Sequence, residues 1–362
     1  MADRSFNIDT SASNSFDPAF LISTSPGVPT VDAIRSKIQA WIGSSWFREL
    51  VRMFDEDIEL DGGLDLTLER LEAFSERWDF RRVARERGAP PDDMLRRGYG
   101  SARWLSAATG LPESAEARVF ADASHLGLVQ ARRPTLSKYD YVVALGGARL
   151  SCKFRPLLAA ELIRAGLSVD HVVLLGAARP VAESEREATD TYAPGASDEF
   201  DLIVAGAQEA FGFDASAYNE KRFDDPSSAN LSWVVRHLST SFEGKSLTVT
   251  AISAPSSDPL RRRANSADTI IFFLQYERVP ADTTLLLITS QIYVPYVQLE
   301  ALRTVALPFR MSVETVGFPI EWMPPLQGLN NANHYLQEVR STIQAARRFC
   351  QAYPAGTLQR EP

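Results

Sequence analysis

The chain is poor in the residues that form disulfides and metal sites. It has only two cysteines, Cys152 and Cys350, and four histidines among its 362 residues. Two cysteines cannot build the disulfide framework of many small secreted domains, so we expect a reducing, cytoplasmic compartment. The histidines are scattered and have no acidic neighbour at metal-ligand spacing, so we expect no metal cofactor.

Long apolar runs and an excess of positive charge are also missing. No apolar stretch approaches the roughly 20 residues of a membrane-spanning helix, which predicts no membrane association. The net charge of -8 at pH 7 argues against a general nucleic-acid partner. Neither the three spaced glycines of a dinucleotide fingerprint nor a phosphate loop with Lys-Ser/Thr occurs, which disfavours both of those nucleotide sites.

The composition and the spacing of apolar residues change along the chain and divide it into several regions. Ser, Asn, Thr and Pro dominate its beginning, whereas apolar residues at three- and four-residue spacing, typical of amphipathic helices, follow. A long polar segment inside the later part predicts a cap over the strand ends. The predicted parts are a flexible arm (1–30), a helical extension (31–133), an α/β domain (134–350) with a cap insertion at about 180–245, and a frayed tail (351–362).

Short β-branched and leucine-rich runs alternate with helical patterns after residue 134. They predict strands at 139–145, 171–175, 247–252, 285–289 and 312–316. Helices are predicted between them, including 155–165 with Pro156 in its first turn, and 197–212 and 231–240 within the cap. We therefore predict an α/β fold: a doubly wound, mainly parallel, five-stranded Rossmann-like sheet with an N-terminal helical extension.

Two of the predicted strands end in glycine. Gly146-Gly147 follows the first strand, and Gly176 follows the second. Glycine permits positive φ and close approach of a ligand to the main chain, and parallel strands bring their carboxyl ends to one edge of a sheet. We predict that these three glycines line a single pocket; ordinary turn punctuation is the alternative.

Arginines near these turns predict that the ligand is anionic. Arg149, Arg155 and Arg179 follow the two glycine turns, close to predicted helix starts. After the third strand, Arg262 and Arg263 are predicted to clamp a phosphate or carboxylate. The alternative in each case is a solvated basic turn.

Polar residues at other strand ends complete the predicted site. Acids after the second strand are candidates to accept hydrogen bonds from ribose or amino groups, and Tyr293 to stack on a planar ring. Glu187 and Tyr293 are the catalytic candidates, whereas Cys152 has no histidine to activate it. The predicted ligand-binding residues are Gly146, Gly147, Arg149, Arg155, Gly176, Arg179, Glu185, Arg262, Arg263, Asn265, Thr269, Thr289, Ser290 and Gln291.

Together these blocks resemble the YdcF-like family (the ElyC, SanA and YdcF group) over about residues 138–320. The family's histidine after its Thr-Ser pair has no counterpart here, where Tyr293 lies nearby. The resemblance implies a nucleotide-type ligand, with S-adenosylmethionine as the best-supported cofactor. The matching pieces are 143–147 with Arg155, Leu175-Gly176 with Glu185 or Glu187, 265–269, and Ile288-Thr289-Ser290.

Three functions are compatible with these sequence features. The first is a small-molecule enzyme, with transferase as the candidate reaction class, that binds a nucleotide-type ligand at the carboxyl edge of the sheet. The second is a non-catalytic ligand-binding or regulatory protein. The third is a hydrolase or ligase acting on an anionic small molecule. In all three the partner is a small molecule.

Overall fold

The computed structural model describes residues 28–55, 58–79, 82, 115–147, 150–214, 217–323 and 331–356. Most of the predicted arm, part of the helical extension, Arg149 and the end of the predicted tail therefore lie outside the described residues.

A seven-stranded, mostly parallel sheet forms the centre of the fold, in the order β3-β4-β5-β2-β1-β6-β7. Its five parallel strands are the five predicted ones, but the predicted total of five is wrong. Two antiparallel strands, β3 and β4, extend the sheet beyond β5. The strands are β1 (Tyr141–Leu145), β2 (His171–Gly176), β3 (Asn219–Phe223), β4 (Trp233–Phe242), β5 (Lys245–Ser253), β6 (Thr284–Ser290) and β7 (Ser312–Phe318).

The predicted helix at 231–240 is wrong, because this segment is β4. Its Val and Thr residues favour a strand, and Val234, Leu238 and Phe242 lie on one face of it. The turn into β5 places Glu243 at φ 50 and Gly244 at φ 74. Two consecutive left-handed residues match the right-handed twist of a hairpin, so β4 and β5 pair along their whole length.

Helices cover both faces of this sheet and form the N-terminal region. In the first helix Ile34, Ile38 and Trp41 share one buried face, and Thr30 caps its start by accepting the N–H of Ala33 at 3.2 Å. The helices are α1 (Val31–Gly43), α2 (Ser45–Arg52), α3 (Leu64–Ser75), α4 (Glu116–His125), α5 (Ser151–Arg164), α6 (Glu183–Thr189), α7 (Glu199–Phe211), α8 (Ser266–Tyr276), α9 (Val294–Ala301) and α10 (Ala332–Ala352).

The sheet separates two apolar clusters. Alternate residues of β1 enter opposite clusters, Val143 and Leu145 on one face and Val142 and Ala144 on the other, as the two-residue period of a strand requires. The first cluster includes α1–α4 and α8–α10, so the N-terminal helices share a core with the sheet. The second includes α5 and α7. No helix in the described parts of the chain is long and apolar enough to cross a membrane.

Helix α5 begins four residues before its predicted start at Arg155, so Pro156 lies inside it. Proline has no N–H, which leaves the carbonyl of Cys152 without its helical hydrogen bond. Gly206 of α7 lies against this carbonyl: a Cβ added to Gly206 would overlap the Cys152 oxygen and lie 2.9 Å from Cα of Lys153. The missing side chain therefore allows α5 and α7 to pack backbone to backbone.

Candidate functional site

A cavity of about 270 Å³ lies at the carboxyl ends of β1 and β2, beside the start of α8. It is slightly smaller than the roughly 300–1,000 Å³ of typical small-molecule pockets. Seven of the predicted ligand-binding residues line it, so the structure brings both glycine turns together. The lining residues are Gly146, Gly147, Leu175, Gly176, Ala177, Arg179, Glu199, Arg263, Ala264, Asn265, Ser266 and Thr269.

The three glycines serve close packing inside the protein as well as lining the cavity. A Cβ on Gly146 would overlap Oε1 of Glu199, and one on Gly147 would lie 2.8 Å from Nη1 of Arg155. A Cβ on Gly176 would lie 2.6 Å from Cα of Phe200. None of the three has a positive φ, so the predicted use of left-handed backbone is wrong, and close approach is the physical reason for glycine here.

Arg179 joins two buried carboxylates on one wall of the cavity. Its Nε donates to Oε2 of Glu199 at 3.1 Å, and its Nη1 and Nη2 donate to the two oxygens of Glu185 at 3.0 and 3.3 Å. Glu185 also accepts the N–H of Ala182 at 3.1 Å, at the start of α6. Arg179 and Glu185 are therefore largely occupied by protein groups.

Glu199 is the functional candidate that the sequence interpretation missed. It is the first residue of α7, directly after the N-cap Asp198, and 9% of its surface is exposed. Burial raises the pKa of Glu199, and Arg179 and Arg155 offset this only in part. Oε2 bonds to Arg179, but no described residue donates a hydrogen bond to Oε1. A carboxylate in the first helical turn is common, so the sequence carried no signal that distinguished it.

The start of α8 uses Asn265, Asp268 and Arg262 for its own stability. Asn265 Oδ1 accepts the N–H of Asp268 at 3.0 Å, and Asp268 accepts the N–H of Asn265 at 2.9 Å. Arg262 bonds to both oxygens of Asp268 and donates to Oγ of Ser257 at 2.8 Å. Burial alone would raise the pKa of Asp268, but the bonds from Arg262 and Asn265 hold it below its usual value.

The two arginines of the predicted clamp therefore differ. Arg262 is bound to Asp268 and does not line the cavity. Arg263 is exposed and lines the cavity, and its guanidinium has no hydrogen-bond or ion-pair partner among the described residues. Of these two arginines, Arg263 is the one that is placed to meet a ligand.

Arg155 and the residues at the end of β6 and directly after it form a separate buried group. Nη1 of Arg155 donates to the carbonyl oxygens of Leu145, at 2.8 Å, and Gly146, and its Nη2 donates to Oγ of Ser290 at 3.2 Å. Thr289 and Gln291 are also buried. None of these predicted ligand-binding side chains lines the cavity, because Arg155 fills the space between β1 and β6.

The catalytic candidates lie outside the cavity lining as well. Glu187 is exposed on α6, and Tyr293 is exposed after β6. Cys152 is fully buried with Sγ 3.0 Å from the carbonyl oxygen of Gly147, and burial together with the charge of Glu199 raises the pKa of its thiol. This thiol is not an activated nucleophile.

Comparison with known proteins shows similarity to one group of proteins along nearly the whole chain. A family model described as the Rv3785 N-terminal domain matches residues 25–127. Two similar curated proteins are the uncharacterized protein Rv3785 of Mycobacterium tuberculosis (strain H37Rv) and the uncharacterized protein Mb3814 of Mycobacterium bovis. Each is 36% identical over 346 residues, which cover 94% of this chain and 96% of the relative. No solved structure matches the chain significantly.

These matches correct the predicted resemblance to the YdcF-like family, which is wrong. The similarity that covers nearly the whole chain is to Rv3785 and its relatives. Glycine, Thr and Ser are frequent where strands end at a turn, so these short pieces did not identify a family. S-adenosylmethionine was implied only by that resemblance and loses its support.

Proposed function

The chain belongs to the Rv3785 family, and we propose that it binds a small phosphate-bearing molecule of nucleotide type in the cavity beside β1 and β2. One observation carries this proposal. Arg263, which has no partner among the described residues, lines the same cavity as the start of the 11-residue helix α8. A helix start and a free guanidinium together favour an anion.

The strand order supports a Rossmann-like interpretation of the sheet. Among the parallel strands, β2 and β5 follow β1 on one side, and β6 and β7 lie on the other. Such sheets bind ligands outside the carboxyl ends where this order reverses, here between β1 and β6. Because Arg155 fills that position, we place the ligand one strand away, at β1 and β2. A boundary near residue 130 between a helical part and an α/β part fits the family model, which ends at residue 127.

Ligand binding is the function we favour over the catalytic alternatives. Ser266 and Thr269 also line the cavity. The Thr269 hydroxyl donates to the carbonyl oxygen of Ser266 at 3.0 Å, and a phosphate offers more acceptor oxygens to Arg263 and the Ser266 hydroxyl than a carboxylate does. The catalytic candidates Glu187 and Tyr293 do not line the cavity, and neither does the thiol of Cys152. We therefore propose a cytoplasmic binding protein and assign no transferase, hydrolase or ligase step.

Calorimetric titration with ethyl phosphate tests this proposal, with propionate as the carboxylate probe. Arg263→Gln should weaken ethyl phosphate binding by about tenfold to hundredfold, the loss expected for one charge-assisted contact. Arg261→Gln is the matched control, because Arg261 is 86% exposed and does not line the cavity. Tighter binding of propionate, equal effects of the two substitutions, or no binding of ethyl phosphate would contradict the proposal.

A further inference from the structure

A second polar group in the same cavity specifies more of the ligand, and this inference rests on the proposed function. Glu199 lines the cavity and is nine-tenths buried, yet its Oε1 accepts no hydrogen bond from any described residue. Oε1 is not one of the fully buried atoms that lack a partner, so it is open to the cavity that Glu199 lines. It is therefore available to accept a hydrogen bond from a ligand that presents a donor at this point.

The charges around Glu199 favour a neutral donor over an ammonium group. Arg179 bonds to both Glu199 and Glu185. Arg155 is a second buried cation whose charge acts on Glu199. In the immediate surroundings of Glu199 two guanidinium groups thus already face the two carboxylates, so Oε1 needs a hydrogen-bond donor rather than a third cation beside it. A hydroxyl donates to Oε1 without changing this balance.

The positions for the phosphate and for the hydrogen-bond donor belong to the same cavity. Arg263 and Glu199 both line it, and its volume of about 270 Å³ lies at the low end for small-molecule pockets. A phosphate near Arg263 and a hydroxyl at Glu199 therefore belong to one compact molecule. We propose that the ligand is a sugar phosphate, free or as the ribose phosphate part of a nucleotide, and that a ring hydroxyl donates to Oε1 of Glu199.

Three phosphate probes on the full-length protein test this assignment by calorimetry. They are ribose 5-phosphate, cyclopentylmethyl phosphate, which has the ring without hydroxyls, and aminocyclopentylmethyl phosphate, which carries an ammonium group. We expect ribose 5-phosphate to bind roughly tenfold or more tightly than either analogue. Adenosine 5′-monophosphate, in a separate titration, distinguishes the nucleotide from the free sugar phosphate.

A substitution then locates the effect at Glu199. In Glu199→Gln the preference for ribose 5-phosphate over the hydroxyl-free ring should fall towards onefold. Glu183→Gln is a matched control, because Glu183 is also the first residue of a helix but is exposed and outside the cavity lining. It should keep the full preference. A thermal melt of each variant shows whether it is folded, and the comparison of probes on the unaltered protein does not depend on that result.

The outcomes separate the two proposals. Equal affinity for ribose 5-phosphate and cyclopentylmethyl phosphate would overturn the role of Glu199 while leaving phosphate binding in place. Tightest binding of the ammonium probe would also overturn it, in favour of an amine. If a folded Glu199→Gln protein keeps the full preference for ribose 5-phosphate over the hydroxyl-free ring, the ligand hydroxyl does not bind to Glu199 but to another residue. Failure of every phosphate probe to bind would overturn both proposals together.

Discussion

Replacing Gly206 by alanine tests the close packing that positions Glu199. Alanine in the middle of α7 gains about 1 kcal/mol in helix propensity. Its Cβ would overlap the Cys152 carbonyl oxygen and lie within 3.0 Å of two backbone carbons of α5. Because backbone cannot rotate away as a side chain can, the cost lies near the upper end of the ~1–3 kcal/mol typical of overpacking. The net expectation for Gly206→Ala is a loss of about 2 kcal/mol.

Gly43 at the end of α1 provides the matched control. A Cβ there has no atom within 4 Å, so Gly43→Ala should be neutral or stabilising by up to about 1 kcal/mol. Urea unfolding followed by tryptophan fluorescence measures both free energies. Since α7 carries Glu199 at its start, Gly206→Ala should also weaken ribose 5-phosphate binding. If Gly206→Ala proves as stable as Gly43→Ala, the account of α5 and α7 in direct backbone contact is incorrect.

Two further outcomes are expected. Because the pKa of Asp268 is held below its usual 3.8 in the folded protein, its contribution to stability is present above that pH and is lost as pH falls through the folded value. Asp268→Asn should cost roughly 1–3 kcal/mol at pH 7 and progressively less below pH 4; a cost that stays constant in urea unfolding down to pH 2 would contradict this linkage. Cys152 and Cys350 are 0% and 2% exposed, and burial raises the pKa of Cys350 to about 11, so neither should react with a thiol reagent until urea unfolds the protein. Rapid labelling of the folded protein would refute this.

The parallel part of the sheet was predictable because its strands are buried on both faces. Such strands appear as short continuous apolar runs, and their carboxyl ends share one edge by geometry. This is why Gly146, Gly147 and Gly176 could be assigned to one pocket in advance. β4 was missed because the prediction of a helix at 231–240 gave no weight to the β-branched residues of this segment or to the Glu243-Gly244 turn. β4 is paired on both sides but is only partly buried, so its pattern is more polar than that of the central parallel strands.

The individual side chains of the site were less predictable, because long-range packing decides where they point. Arg262 and Arg263 are neighbours in sequence, but the cap at Asp268 binds only Arg262. Glu199 reaches Gly146 across more than fifty residues of chain, through the packing of α7 on β2. No local sequence pattern predicts such a contact between residues that are far apart in the chain. The glycines were predicted to allow close approach of a ligand to the main chain, whereas the structure shows protein groups close to all three of them.

The sheet order has a consequence for a chain that folds while it is being made. In the pairing register Val142 of β1 lies opposite Val172 on one side and Leu286 on the other. The ribosome releases β2 soon after β1, and the β4–β5 hairpin closes locally, whereas β6 emerges much later. A nascent chain therefore holds a central apolar strand with one bare edge while residues 146–283 are added, and bare edges of this kind recruit other strands. Closing the β1–β6 pair spans the longest loop of the sheet and completes its centre late.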